Sequence, residues 1–179
     1  MERIDTKSFD KKIRALIDDI NEKRRYGDPG LARRYEQLIK FAGEKNDSRA
    51  LGMAYYFMAE HDYERNGRTG KFQDYLSQAI TYQQEAEDYA MLTYSYRFLG
   101  KDVMFHGHPE LAYDYYRTAR EYALKSEKRI DLEALSAYNI GQVYMQMGEH
   151  EEALLSFDEA LTKIESDGEE SPHYHMLKV

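Results

Sequence analysis

The sequence predicts an all-α protein, an α-solenoid of about four antiparallel helical hairpins. Three observations predict it. Ala, Leu, Glu, Lys, Arg and Met are abundant and 17 Tyr join them, while Val is scarce and strict apolar/polar alternation is absent, which favours helix over strand. The few Pro and Gly punctuate the chain where helices would begin and end. A five-residue pattern also recurs: Gly100, Gly107, Ala112, Tyr116 and Ala119 match Gly141, Gly148, Ala153, Phe157 and Ala160 at a shift of 41 residues. A fixed period of that size marks stacked supersecondary units.

The prolines place three helix starts. They stand in Asp28-Pro29-Gly30-Leu31, His108-Pro109-Glu110-Leu111 and Ser171-Pro172-His173-Tyr174. Pro fits a first helical turn, where its missing N–H has no partner to lose. Asp28 and Ser171 are expected to cap these starts, with His108 a weaker cap. Gly27 and Gly107, just upstream, are expected to terminate the preceding helices. The predicted helices are 8–25, 29–43, 48–65, 70–86, 89–106, 109–126, 130–147 and 150–166. Short linkers between them imply antiparallel neighbours. Residues 1–168 are expected to form a single helical repeat domain. Residues 169–179 are expected to be the start of a further helix, truncated, or a C-terminal tail.

The repeat spacing has a physical reading. Gly100 and Gly141, with Ala112 and Ala153, let two antiparallel helices approach closely. Gly107 and Gly148 free the backbone for the turn between them. A Gly within a helix costs about 1 kcal/mol relative to Ala, so close packing is the expected compensation. Leu99 and Ile140 precede the first Gly, and Val103 and Tyr144 follow it.

On these residues the chain resembles the tetratricopeptide repeat (TPR) family. Residues 134–164 carry the signature in Ile140-Gly141, Tyr144, Gly148, Ala153, Phe157, Ala160 and Leu161. Residues 93–123 carry it in Tyr96, Leu99-Gly100, Gly107, Ala112, Tyr116 and Ala119. Residues 52–86 match loosely and 8–43 only as a hairpin. The common period of the family is about 34 residues, so a period of 41 adds about two helical turns per repeat. The resemblance implies a TPR-like superhelix whose concave face is lined by the first helix of each pair. Long-period repeats of this kind look like those of bacterial regulators. IDDINEKRRYGDPGLARRYEQLIKFA and ALGMAYYFMAEHDYERN are also similar to N-terminal sensory regions of bacterial diguanylate cyclases.

Composition excludes several kinds of chemistry. There is no Cys, hence no disulfide, thiolate metal site or Cys nucleophile. The net charge is −8, a poor basis for non-specific nucleic-acid binding. The charge is uneven, with residues 1–50 at +3 and the remainder at −11; a solvated helix face accounts for the basic part. No apolar run reaches the ~18 residues of a membrane span, and the charged N-terminus is no secretory signal. The expected protein is cytoplasmic, binds no nucleic acid or membrane, takes no cofactor and is not an enzyme. His106-Gly107-His108 and His173-Tyr174-His175 each offer two metal ligands at most, too few for a metal site. Acidic pairs such as Asp18-Asp19, Glu151-Glu152 and Glu169-Glu170 suit solvated helix faces and starts.

The resemblance places the partner face between the packing positions of the first helices. Its expected residues are Tyr94, Arg97, Lys101, Met104 and Phe105 in one repeat, and Leu135, Tyr138, Asn139, Gln142 and Met145 in the next. Upstream, Met53, Tyr56, Phe57, Glu60 and Tyr63 are the corresponding candidates. Repeats of the family that clamp a peptide carboxylate use basic and Asn residues at such positions. Arg97 and Asn139 match, and Lys101 stands where Asn is usual. The expected partner is a protein or peptide segment, bound by the N-terminal sensory or regulatory part of a bacterial signalling protein. The alternatives are self-association as a homodimer and a fragment of a peptide-responsive transcriptional regulator.

Overall fold

The structure, a computed structural model, describes residues 9–26, 28, 30–127 and 129–167, and only the backbone of residues 129 and 167. Among the described residues there are eight helices and no strand: α1 (Lys11–Arg25), α2 (Leu31–Lys45), α3 (Ser48–Asn66), α4 (Gly70–Glu85), α5 (Tyr89–Phe105), α6 (Pro109–Ala123), α7 (Arg129–Met147) and α8 (His150–Asp167). The predicted class and order are therefore observed, with helix ends within three residues of expectation. The chain gathers into two compact units, Met1–Asp88 and Tyr89–Val179. Each holds two consecutive hairpins, α1/α2 and α3/α4 in the first, α5/α6 and α7/α8 in the second.

Local chemistry sets the helix ends. The carboxylates of Asp10 and Asp47 accept hydrogen bonds from the Lys12 and Ala50 amides, each at 2.9 Å, and Thr69 Oγ1 accepts from the Phe72 amide at 3.0 Å. These side chains satisfy amides that have no partner inside the helix. Gly107 and Gly148 both take φ of 81°, a left-handed turn that a Cβ would strain. Pro109 opens α6 behind His108, which makes no side-chain cap bond. Asp28 departs from expectation. It does not cap α2, whose N-cap is Gly30; its Oδ1 accepts from the Gly30 amide at 2.6 Å and shapes the turn before the helix. Gly27, Pro29, Gly168 and the whole Ser171–Val179 segment, with its cap and its two His, lie outside the described residues.

Position in the stack explains the sequence pattern of each helix. α2 and α6 are strongly amphipathic, burying Leu31, Tyr35, Leu38 and Ala42, and Ala112, Tyr116, Ala119 and Ala123, on one stripe. α3 and α7 instead lie between two neighbours, α2 and α4 or α6 and α8. They bury residues around most of their circumference, as the consecutive run Leu132, Glu133, Ala134, Leu135, Ser136 and Ala137 shows. That run also shows where part of the long period goes. α7 begins five residues before Ala134, adding a turn ahead of the repeat signature. Glu133 is buried in this added turn and pairs with Lys163 of α8 at 2.6 Å.

Candidate partner-binding face

α5 and α7, the first helices of consecutive hairpins, touch within the second unit. A chain of hydrogen bonds joins them. Arg97 Nε donates to Asn139 Oδ1 at 2.7 Å, Asn139 Nδ2 donates to Gln142 Oε1 at 3.3 Å, and Gln142 Nε2 donates to the Tyr138 hydroxyl at 3.3 Å. The Arg97 guanidinium also lies over the Tyr94 ring, 5.9 Å from its centroid, a cation–π arrangement. The Tyr138 ring rests on Phe157 with centroids 5.5 Å apart. The Gly141 gap that seats Phe157 therefore also supports the far end of this chain.

The positive charge of Arg97 reaches the helix behind it. Burial pushes the Tyr116 hydroxyl up to about 12, and the Arg97 charge opposes that rise. Lys101, one turn beyond Arg97, is exposed. At the end of α5, Met104 is half-buried and Phe105 exposed, and Met145 is exposed at the end of α7. Of the ten candidates, Leu135 is misplaced: it is 1% exposed and belongs to the core, because α7 is covered on two sides there. Asn139 and Gln142 hold one another and Arg97, which makes Asn139 a positioning group for the guanidinium. Gln142 Oε1, with one donor placed, retains acceptor capacity for a ligand N–H.

The first unit presents a different surface. Met53 and Phe57 are buried. Glu60 accepts a hydrogen bond from Arg24 of α1, whose guanidinium lies 4.3 Å over the Phe57 ring. Phe57 and Glu60 are thus covered by a charged side chain from the preceding hairpin, while Tyr56 and Tyr63 are half-buried. A cavity of about 400 Å³ lies at the α1–α2 turn, lined by Lys23, Asp28, Gly30, Arg33, Arg34 and Gln37. Lys23 pairs there with Asp19 and Asp28, and Arg34 with Asp19. The basic bias of the first fifty residues is in this part balanced by its own carboxylates.

His106 Nδ1 bonds to the Asp102 carbonyl at 2.7 Å, an interaction at the C-terminal end of α5. Among the described residues, no three His, Asp or Glu come together as metal ligands, and no helix is long and apolar enough to cross a membrane.

A glycine seated against a larger side chain in the α3/α4, α5/α6 and α7/α8 pairs, and a polar face shared by α5 and α7, define a helical-hairpin repeat protein. The match to a known family is local and specific: residues 134–162 match the tetratricopeptide repeat. That segment runs from inside α7 to near the end of α8 and includes the repeat signature. A repeat of this type makes a protein–protein interaction module. No curated protein matches the chain.

Proposed function

We propose that the chain binds a protein or peptide segment along the α5/α7 face and is not itself a catalyst. The observation that carries this reading is the Arg97–Asn139 bond at 2.7 Å. It gathers a guanidinium, an exposed ammonium and a Gln acceptor on adjacent first helices, with Phe105 and Met145 beyond them. Arg97 and Lys101 would attract a carboxylate of the ligand, and Gln142 would accept from its backbone. Met104, Phe105 and Met145 would take apolar side chains. The context we propose is a sensory or regulatory part of a bacterial signalling protein, of which diguanylate cyclases are one kind. The test is selection of ligands from a displayed peptide library, followed by calorimetry. Loss of binding in the combined Arg97→Ala, Lys101→Ala, Asn139→Ala variant is expected; retained affinity would refute the reading.

One observation favours self-association as a second reading. Leu154 and Leu155 on α8 are 64% and 70% exposed, an unusual pair on the last described helix. Light scattering that shows a dimer in the parent chain and a monomer in Leu154→Glu, Leu155→Glu would support it.

A further inference from the structure

The turn end of the second unit leaves large apolar side chains in solvent. Val103 and Met104 of α5, Ala112 and Tyr113 of α6, and Val143 and Tyr144 of α7 share one cluster. The Tyr113 and Tyr144 rings stand 5.7 Å apart. Their sequence neighbours are thereby brought to one end of the unit. Three of these are large, apolar and exposed, Phe105 82%, Met145 48% and Leu111 44%, and Met147, 39% exposed at the end of α7, is a fourth. One such residue is ordinary, whereas four at one end, with Phe105 and Met145 on the touching helices α5 and α7, are a concentration that a partner would cover. Two of the four are Met, which adapt to varied side chains.

Carboxylates border this surface. Glu149, Glu151 and Glu152 are exposed in the α7–α8 turn and the first turn of α8. Their charge is felt at the same end. The Tyr144 hydroxyl is pushed up to about 12, first by its hydrogen bond with Tyr113 and then by burial, and Glu149 and Glu152 add to the rise. Lys101 lies one turn before Phe105, on the side of the α5/α7 face.

We infer that this end docks an amphipathic segment of another protein, apolar on one side and rich in Lys or Arg on the other. Phe105, Leu111, Met145 and Met147 take its apolar side chains, and the three glutamates complement its basic ones. A second copy of the chain fits less well. A two-fold contact would set this patch against itself, glutamates facing glutamates. An anionic membrane meets the same repulsion. The inference shares Phe105 and Met145 with the proposed peptide face and rests on that reading to this extent. Its charge demand is opposite, since Arg97 and Lys101 call for an anion.

The test uses the full chain and two fluorescein-labelled helical peptides, one of Leu and Lys and one of Leu and Glu. The Leu/Lys peptide is expected to bind and the Leu/Glu peptide not. Phe105→Ser with Met145→Ser should weaken binding about tenfold or more, as should the combined Glu149→Lys, Glu151→Lys, Glu152→Lys. Arg97→Ala, Lys101→Ala, Asn139→Ala should not weaken it and, by removing two nearby positive charges, should if anything tighten it, which separates this site from failure of the peptide face. Asp158→Lys with Glu165→Lys, further along α8, should leave it nearly unchanged. Equal binding of the two peptides overturns the proposal. So does an equal loss in the Asp158/Glu165 pair, binding that survives Phe105→Ser with Met145→Ser, or a parent dimer that this double substitution disperses.

Discussion

Gly100 lies directly against the Tyr116 ring: a Cβ on it would meet ring carbon Cε1 at 2.6 Å, and Gly141 stands in the same relation to Phe157 at 2.6 Å. The repeat is thus a contact between a missing side chain and an aromatic one. Alanine at either position gains about 1 kcal/mol of helix propensity and meets an overpacking cost of roughly 1–3 kcal/mol. The neighbours differ in their freedom to move. Tyr116 is buried against Val103, Ile140 and Val143, while Phe157 is only half-buried. Gly100→Ala should therefore destabilise by about 1–2 kcal/mol, and Gly141→Ala by less than about 1 kcal/mol. Urea unfolding of the two variants checks the order; a larger loss at Gly141 would contradict it.

The close approach at Gly100 and Gly141 was legible in the sequence because it is repeated, but its partner was not: the pattern set these glycines with Ala112 and Ala153, whereas the structure seats the Tyr116 and Phe157 rings against them. The helix ends were legible for a related reason: Pro109 and the glycines at 107 and 148 act through their own backbone. Asp28 was not, since Asn, Asp and Ser serve turns and caps by the same side-chain bond, and only the folded chain sets the Gly30 amide against it. Leu135 was assigned by its place on one helix, whereas its burial comes from two covering helices. The Arg24–Glu60 pair spans 36 residues, and no spacing rule connects such positions. Asn139 was expected as a face residue, but its bond to Arg97 depends on side-chain geometry that a pattern does not carry.

Alkaline pH should unfold the protein through its buried tyrosines. Burial raises the Tyr116 hydroxyl from 10.0 to about 12, against the opposing charge of Arg97. Tyr35, Tyr55 and Tyr96 are raised by burial as well. In the unfolded chain a tyrosine gives up its proton near 10, while folded Tyr116 keeps it. The contribution is therefore complete below pH 10 and is lost as pH rises through about 12. Its ceiling is about 3 kcal/mol for two decades of pH. Tyr116→Phe should flatten the fall of stability between pH 10 and 12, measured by urea unfolding across that range. An unchanged slope would remove Tyr116 as a cause.

The Arg24–Glu60 pair should behave as a coupled unit. The side chains are 13% and 25% exposed, and the guanidinium also covers Phe57. Removing one partner leaves a mostly desolvated charge, at a cost of about 2–3 kcal/mol after allowance for residual solvent. Arg24→Met and Glu60→Met should each show that loss. The double variant should recover much of it, because no unpaired charge remains. A double-mutant cycle by chemical unfolding gives the coupling; additive losses would mean that the two charges act independently.

Asn139 should act on binding through Arg97 rather than by touching the ligand. Its Oδ1 accepts from Arg97 Nε, and its Nδ2 is given to Gln142. Asn139→Ala removes one acceptor, so the guanidinium loses one of the contacts that fix its direction. An acidic peptide selected on the parent should then bind about three- to tenfold more weakly, a cost of about 1 kcal/mol for one oriented hydrogen bond. Asn139→Asp keeps the shape and places a carboxylate against Arg97. A merely structural Asn139 would predict similar binding in that variant. A positioning role predicts that stability is kept or raised while affinity for the acidic peptide is lost, because the carboxylate at 139 competes with the ligand's own for the guanidinium. Calorimetry at two salt concentrations separates the outcomes: the parent should lose affinity as salt rises, and Asn139→Asp should show a shallower dependence. Tight, salt-sensitive binding of the acidic peptide by Asn139→Asp would contradict the role assigned to both residues.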